Sequence, residues 1–188
     1  LSMLGGALWC SRVCPEIQYP VSLLALFASD PTPHHCSMLK TVFQYLKEHK
    51  EMGLVFDSNP ERGLNLEMRG FVDASYADNY GTPKDNRRST TGFVFMLGGA
   101  AISWSSKRQA VVACSTTESE YIAAYTATRE AICLRRMLIE LGETSPDTAV
   151  DLNEDNQACI KLAHNPCSAQ RTKSMDVKYH FLRQAVQE

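Results

Sequence analysis

The segment from Ser115 to Gly142 restricts the fold more than any other stretch of the chain. Ser115 with Glu118 and Thr117 with Glu120 both meet the capping-box spacing, so a helix start is marked and its register stays open between the two. Gly142 suits the position just past a helix, where a left-handed residue closes the last turn. Between them Glu120, Ala124, Ala127, Ala131, Leu134, Leu138 and Leu141 follow at steps of four and three. That is one stripe, and its small residues permit close approach to a sheet.

The flanking sequence supplies the sheet. Met68 to Ala74 reads as a strand that carries Asp73 at its end. Gly92–Leu97 and Ala101–Ser105 are apolar runs joined by Gly98-Gly99, which predicts a hairpin. Thr148 to Glu154 alternates as a strand, and Asn156 to His164 reads as a short helix stopped by Asn165-Pro166. A linker with Arg171 and Lys173 leads to a last helix from about Ser174. Asp78 to Thr90 is read as a loop, and Gly53–Phe56 with Leu64–Leu66 as short strand pieces around a turn. A strand–helix–strand connection favours a parallel pair, and the hairpin adds antiparallel strands. Residues 69–164 thus predict an α/β fold class, a mixed sheet covered by helices.

Residues 1–60 form a mainly helical N-terminal segment by their pattern. Pro15 and Asp30-Pro31-Thr32-Pro33 mark boundaries, and Met38, Val42, Tyr45 and Leu46 share one helical face. His34 and His35 are neighbours on a helix and so diverge, which fits a helix start better than a metal site. No chemistry is read from this region. The ends of the chain have the look of cuts from something longer.

Composition narrows the function classes. A net charge of −2 across 188 residues argues against a protein that coats nucleic acid, though not against a local basic groove. Seven cysteines are scattered without zinc-ligand spacing, as expected for reduced thiols inside a cell. No run of about 18 apolar residues and no secretory signal are found, so no membrane partner is expected.

Three carboxylates stand out. If the strands ending near Asp73 and Asp155 are parallel neighbours, both side chains emerge at the edge where open α/β sheets place ligands. Glu120 heads the stripe that faces the sheet, where an ionised carboxylate is costly unless a cation or donor meets it. Glu118 lies about 200° round the helix and is the better capping group. Three carboxylates without a His or Cys ligand suit hard cations such as Mg2+ or Mn2+. Two such ions roughly 4 Å apart can activate a water and stabilise a leaving oxygen in phosphodiester hydrolysis. A structural alternative stands beside this: Asp155 is also a good N-cap for the helix that follows.

Six ordered motifs extend the reading. They are Phe71-Val72-Asp73-Ala74-Ser75-Tyr76-Ala77-Asp78, Arg88-Ser89-Thr90-Thr91-Gly92-Phe93-Val94-Phe95, and Ile102-Ser103-Trp104-Ser105-Ser106-Lys107-Arg108-Gln109. Ser115-Thr116-Thr117-Glu118-Ser119-Glu120-Tyr121, Glu154-Asp155-Asn156-Gln157-Ala158 and Arg171-Thr172-Lys173 with Asp176-Val177-Lys178-Tyr179-His180-Phe181 follow. In order and approximate spacing they closely resemble the ribonuclease H domain of copia-type retrotransposon polyproteins. The first sixty residues look like that family's segment linking reverse transcriptase to ribonuclease H, notably Leu8-Trp9-Cys10-Ser11-Arg12-Val13-Cys14-Pro15 and Tyr45-Leu46-Lys47.

The resemblance implies an α/β, ribonuclease H-like fold over residues 61–188, a five-stranded mixed sheet with helices on both faces. It implies Mg2+- or Mn2+-dependent hydrolysis of the RNA strand of RNA–DNA hybrids, with the reverse transcriptase portion of the same polyprotein as partner. The implied setting is intracellular, a cytoplasmic virus-like particle or the nucleus. By position Asp73, Glu120 and Asp155 match the family's catalytic, metal-binding carboxylates. A fourth is expected in an Ala-Asp motif beyond the last helix, which this chain does not contain. Asp176 is the only later aspartate, with capping or an ion pair as its alternative role. Ser105, Ser106, Lys107, Arg108 and Gln109 are candidate nucleic-acid contacts, with a solvated turn as the alternative. Trp104 is open between core and stacking platform. The polymerase's paired aspartates are absent, so no DNA synthesis is expected. The rival to a nuclease is a retroelement remnant, a nucleic-acid-binding or structural module that keeps the fold without turnover.

Overall fold

The computed structural model describes residues 2–56, 67–78, 87–164 and 173–187, with the side chains of 173–176 left aside. Its centre is a mixed sheet of β1 (Arg69–Ser75), β2 (Thr90–Leu97), β3 (Ala100–Arg108) and β4 (Asp151–Asn153), in the order β3-β2-β1-β4. β1 runs antiparallel to β2 and parallel to β4, and β2 and β3 form the hairpin. Gly98 and Gly99 take φ of +57° and +83°, the two left-handed residues that a tight hairpin turn demands. This is the mixed, helix-flanked sheet of a ribonuclease H-like fold. Four strands are present among the described residues, against the five that the resemblance implies.

The long helix α4 (Thr116–Glu140) crosses one face of the sheet. Ser115 settles its register: the serine hydroxyl accepts the Glu118 N–H at 3.2 Å, and Glu118 Oε2 accepts the Cys114 N–H at 2.8 Å. At the other end Gly142, φ +75°, lets its own N–H reach the Ile139 carbonyl and the Glu143 N–H reach that of Leu138. These two bonds satisfy carbonyls that every helix end leaves orphaned. Ala123, Ala127, Ala131 and Leu134 pack on Val72, Ala74 and Phe95 in the main core. Two members of the expected stripe depart from it. Ala124 faces the cluster of Tyr121, Cys159, Tyr179 and Leu182, and Leu141 is 72% exposed, past the edge of the sheet.

Two shorter helices, α5 (Gln157–His164) and α6 (Lys173–Gln187), complete that side. Tyr121 and Tyr179 pack with ring centroids 3.9 Å apart and planes tilted by 32°, and the Tyr121 hydroxyl donates to the Tyr179 carbonyl at 3.2 Å.

The N-terminal segment is helical, as expected: α1 (Ser2–Cys10), α2 (Gln18–Ala25) and α3 (Pro33–Glu48) close around Ala7, Ile17, Val21, Leu24 and Val42. Thr32 caps α3 together with the His35 ring, which gives that histidine a structural role. The segment meets the face of the sheet opposite α4, where the Trp104 indole N–H donates to the Ser11 carbonyl at 2.9 Å. Trp104 is therefore a tie between sheet and segment. Gly53–Phe56 form no strand with any of the described residues, and Leu54, Val55 and Phe56 are exposed. Leu64–Leu66 lie outside the described residues. No described helix is long and apolar enough to cross a membrane.

Candidate metal centre

Register brings the first two carboxylates together. In the parallel pair Phe71 stands opposite Asn153, with the Asn153 amide donating to the Gly70 carbonyl at 3.0 Å. Two residues further along each strand direction come Asp73 and Asp155. Alternation turns Val72 and Ala74 into the α4 core and leaves Asp73 exposed on the other side of the strand. Asp155 is likewise exposed, and it is not the cap of α5. That role falls to Asn156, whose Oδ1 accepts the Ala158 and Cys159 N–H groups at 3.0 Å each. The alternative role for Asp155 is thus taken by its neighbour.

Glu120 comes from the first turns of α4 and is 7% exposed. Carboxylate oxygens of Asp73, Glu120 and Asp155 all lie within 4.8 Å of one another. Glu120 Oε2 is buried with no hydrogen-bonding partner. Burial, then the charges of Glu154 and Asp73, push the Glu120 carboxyl up to about 8, against a smaller opposing pull from the Ala74 backbone N–H. A buried acid crowded by acids and short of donors is a poor structural device. It fits a centre that a hard divalent cation would complete, since only oxygen ligands are offered.

A further carboxylate, Glu154, belongs to the same crowd and was not singled out from the sequence. Burial drives its carboxyl up to about 7, with Asp155 and Asp73 adding to the rise and the Asn156 N–H opposing it. Its Oε1 accepts that N–H at 3.0 Å, while Oε2 is buried without a partner. The clue lay in alternation: with Val150 and Leu152 facing the core, Glu154 falls on the same apolar side. The nearby Cys159 thiol is pushed up to about 12, first by burial and then by Glu154 and Glu120.

The predicted nucleic-acid contacts do not form one surface. β3 runs through Arg108, so Ser105 to Arg108 are strand residues rather than the start of a turn, and their side chains alternate. Ser106 stands opposite Gly92, which stands opposite Asp73, making one row across the sheet on the face away from α4. Ser106 Oγ is buried and has no partner. Lys107 is exposed, and Arg108 is half-buried beside Thr90. Gln109 is turned inward at 5% exposure, its amide donating to Thr91 Oγ1 at 3.1 Å and to the Ser119 carbonyl at 2.9 Å. A groove of about 670 Å³ opens on this face, lined by Asp73, Ser75, Thr90, Gly92 and Ser106 at one side and Tyr19 at the other. The side chain of Asp176 lies outside the described residues.

Comparison with known proteins gives consistent relatives. The chain is 37% identical over 185 residues to the retrovirus-related Pol polyprotein from transposon TNT 1-94 of Nicotiana tabacum, across 97% of this chain and 13% of the polyprotein. It is 32% identical over 185 residues to the retrovirus-related Pol polyprotein from transposon RE1 of Arabidopsis thaliana, across 98% of this chain and 12% of the polyprotein. Secreted RxLR effector protein 161 of Plasmopara viticola is 39% identical over 135 residues, covering 71% of this chain and 89% of that protein. The chain therefore spans only a small part of the length of the Pol polyproteins it matches. No family model matches it.

Proposed function

Because this chain belongs to the retroelement Pol polyprotein family, in its reverse transcriptase–ribonuclease H region, we propose that it is the ribonuclease H part of such a polyprotein. In this reading it hydrolyses the RNA strand of RNA–DNA hybrids, with residues 1–60 as the connection to a reverse transcriptase and 61–188 as the nuclease domain. The observation that carries it is the mutual approach of Asp73, Glu120 and Asp155 with a buried, unpartnered Glu120 oxygen.

Asp73, Glu120 and Asp155 would hold Mg2+ or Mn2+. When bound, such ions lower the pKa of an attacking water and neutralise charge on the leaving oxygen of a phosphodiester. The chain's own contribution is placement. The β1–β4 register sets Asp73 near Asp155, and α4 holds Glu120 buried beside these two exposed carboxylates, where its charge interacts more strongly than in water. Ser106, in the row with Asp73 and Gly92, lines the same groove but keeps its hydroxyl buried. Lys107 and Arg108 are the phosphate contacts in this reading, and Gln109 acts only by holding β3 to α4. The place of action follows the polyprotein: an intracellular reverse-transcription particle.

A second reading is favoured by one likeness, that to a protein named as a secreted effector rather than as a polyprotein. In it the chain keeps the fold as a non-catalytic module. Incubation with a hybrid carrying a labelled RNA strand, in Mg2+ or Mn2+, separates the two. Shortening of the RNA by the native chain and not by Asp73→Asn supports the nuclease. An intact strand after incubation with folded native chain supports the module.

A further inference from the structure

We propose that Gly92 is the floor of the path taken by the strand that is cut. It leaves the sheet bare beside Asp73, so that a sugar–phosphate backbone lies directly against β2. The inference deepens the nuclease reading and rests on it.

The two glycines of the β1–β2 pair differ in what requires them. A Cβ on Gly70 would stand 2.5 Å from Phe95 Cε1 and 2.8 Å from Leu152 Cδ1, so packing within the chain demands that glycine. Among the described residues, a Cβ on Gly92 would meet the Asp73 carbonyl alone, at 3.8 Å, an ordinary contact. The φ of Gly92 lies outside the left-handed region, so its backbone conformation does not call for glycine either. Glycine inside a strand forgoes side-chain packing and weakens the strand. Where nothing inside the chain requires it, a bare strand position fits the close approach of something from outside.

The surroundings of Gly92 point to a nucleic-acid strand. Phe71, Val94 and Trp104 form the row on one side of it, and Ser75, Thr90 and Arg108 the row on the other. An apolar row, a bare row and a polar row thus run side by side on the face away from α4. Ribose and base faces suit the first, and phosphate oxygens suit the last. The groove of about 670 Å³ lies over these rows, with Phe71 46% exposed and Tyr19, on the opposite wall, 48% exposed. Aromatic surfaces of this kind stack on bases whatever their sequence. Asp73 belongs both to the groove and to the carboxylate cluster, so the groove is continuous with the metal centre. Asp73 and Gly92 stand opposite each other, one strand spacing of about 4.8 Å apart. A phosphate held at Asp73 therefore has the Gly92 backbone as its neighbour.

The test is Gly92→Val in the full chain, read three ways. Valine favours a strand, so the urea midpoint should hold or rise. Mn2+ binding by calorimetry should match the native chain, because no carboxylate is touched. Anisotropy of a fluorescent RNA–DNA hybrid, with Ca2+ in place of Mg2+, should show binding weakened about tenfold or more, and Gly92→Ala should fall between. Native-like hybrid binding by Gly92→Val overturns the proposal, and the nuclease reading still stands if the native chain cuts the hybrid in Mg2+. Loss of the fold or of Mn2+ binding in Gly92→Val overturns it too, since the glycine would then serve the chain itself. A folded native chain that neither binds nor cuts the hybrid overturns the nuclease reading, and this proposal with it.

Discussion

The side-chain amide of Gln109 donates to the carbonyl of Ser119 at 2.9 Å, tying the end of β3 to the residue immediately before Glu120. The same amide reaches Thr91 Oγ1 at 3.1 Å, so one buried group links β2, β3 and the start of α4. Gln109→Ala removes both bonds and leaves buried acceptors, an expected cost of about 1–3 kcal/mol. Urea denaturation should show a lower midpoint at unchanged slope. Mn2+ affinity should fall as well, because Glu120 loses its brace.

Glu120 makes the metal-free protein sensitive to pH. Its carboxyl ordinarily titrates near 4.5 and is raised to about 8 in the fold. The folded state thus holds a proton that the unfolded state releases, and stability is lost as pH rises through that window. The expected outcome is a melting temperature that falls between pH 5 and pH 8. Added Mg2+ should restore more at pH 8 than at pH 5, since it competes with the proton. A flat profile in calorimetry would count against the burial of this acid.

Replacing the acid separates stability from function. Glu120→Gln removes the charge and keeps the shape, so the metal-free variant should melt above the native chain at pH 8. The same variant should bind Mn2+ far more weakly and leave hybrid RNA uncut. Stability and activity are expected to move in opposite directions, a result that misfolding cannot give.

Gly70 guards the strand pair that aligns the aspartates. A Cβ there would lie 2.5 Å from Phe95 Cε1 and 2.8 Å from Leu152 Cδ1, inside the core between β1, β2 and β4. Gly70→Ala should destabilise by about 1–3 kcal/mol as these side chains are forced aside. Weaker Mn2+ binding should accompany it, because Leu152 sits on the strand that leads to Asp155.

Legibility in the sequence followed locality. The hairpin and α4 with its Gly142 stop rest on spacing within a few turns and stand in the structure, as does Glu118 rather than Glu120 as the capping group. Asp73 and Asp155 were legible once a strand–helix–strand unit was assumed, since parallel register follows from it. The misreadings depended on partners distant in sequence. Gln109 faces inward because Thr91 and Ser119 wait for it, and β3 extends to Arg108 because Thr90 pairs there. Asn156 took the cap that suited Asp155 equally well. Gly53–Phe56 carry apolar residues of strand type, yet no strand among the described residues accepts them. Glu154 was hidden by its neighbour: beside an aspartate at the site, a glutamate reads as surface until the alternation of β4 is fixed.

The central claim is that Asp73, Glu120 and Asp155 form one divalent-cation centre. Anomalous diffraction at the manganese edge, from crystals of the native chain grown with Mn2+, tests it most directly. The account predicts anomalous density among these three carboxylates, with Glu120 Oε2 as a ligand, and none there in Asp73→Asn. Crystals with Mn2+ bound elsewhere and this cluster empty, or with Glu120 paired to a basic side chain, would contradict it.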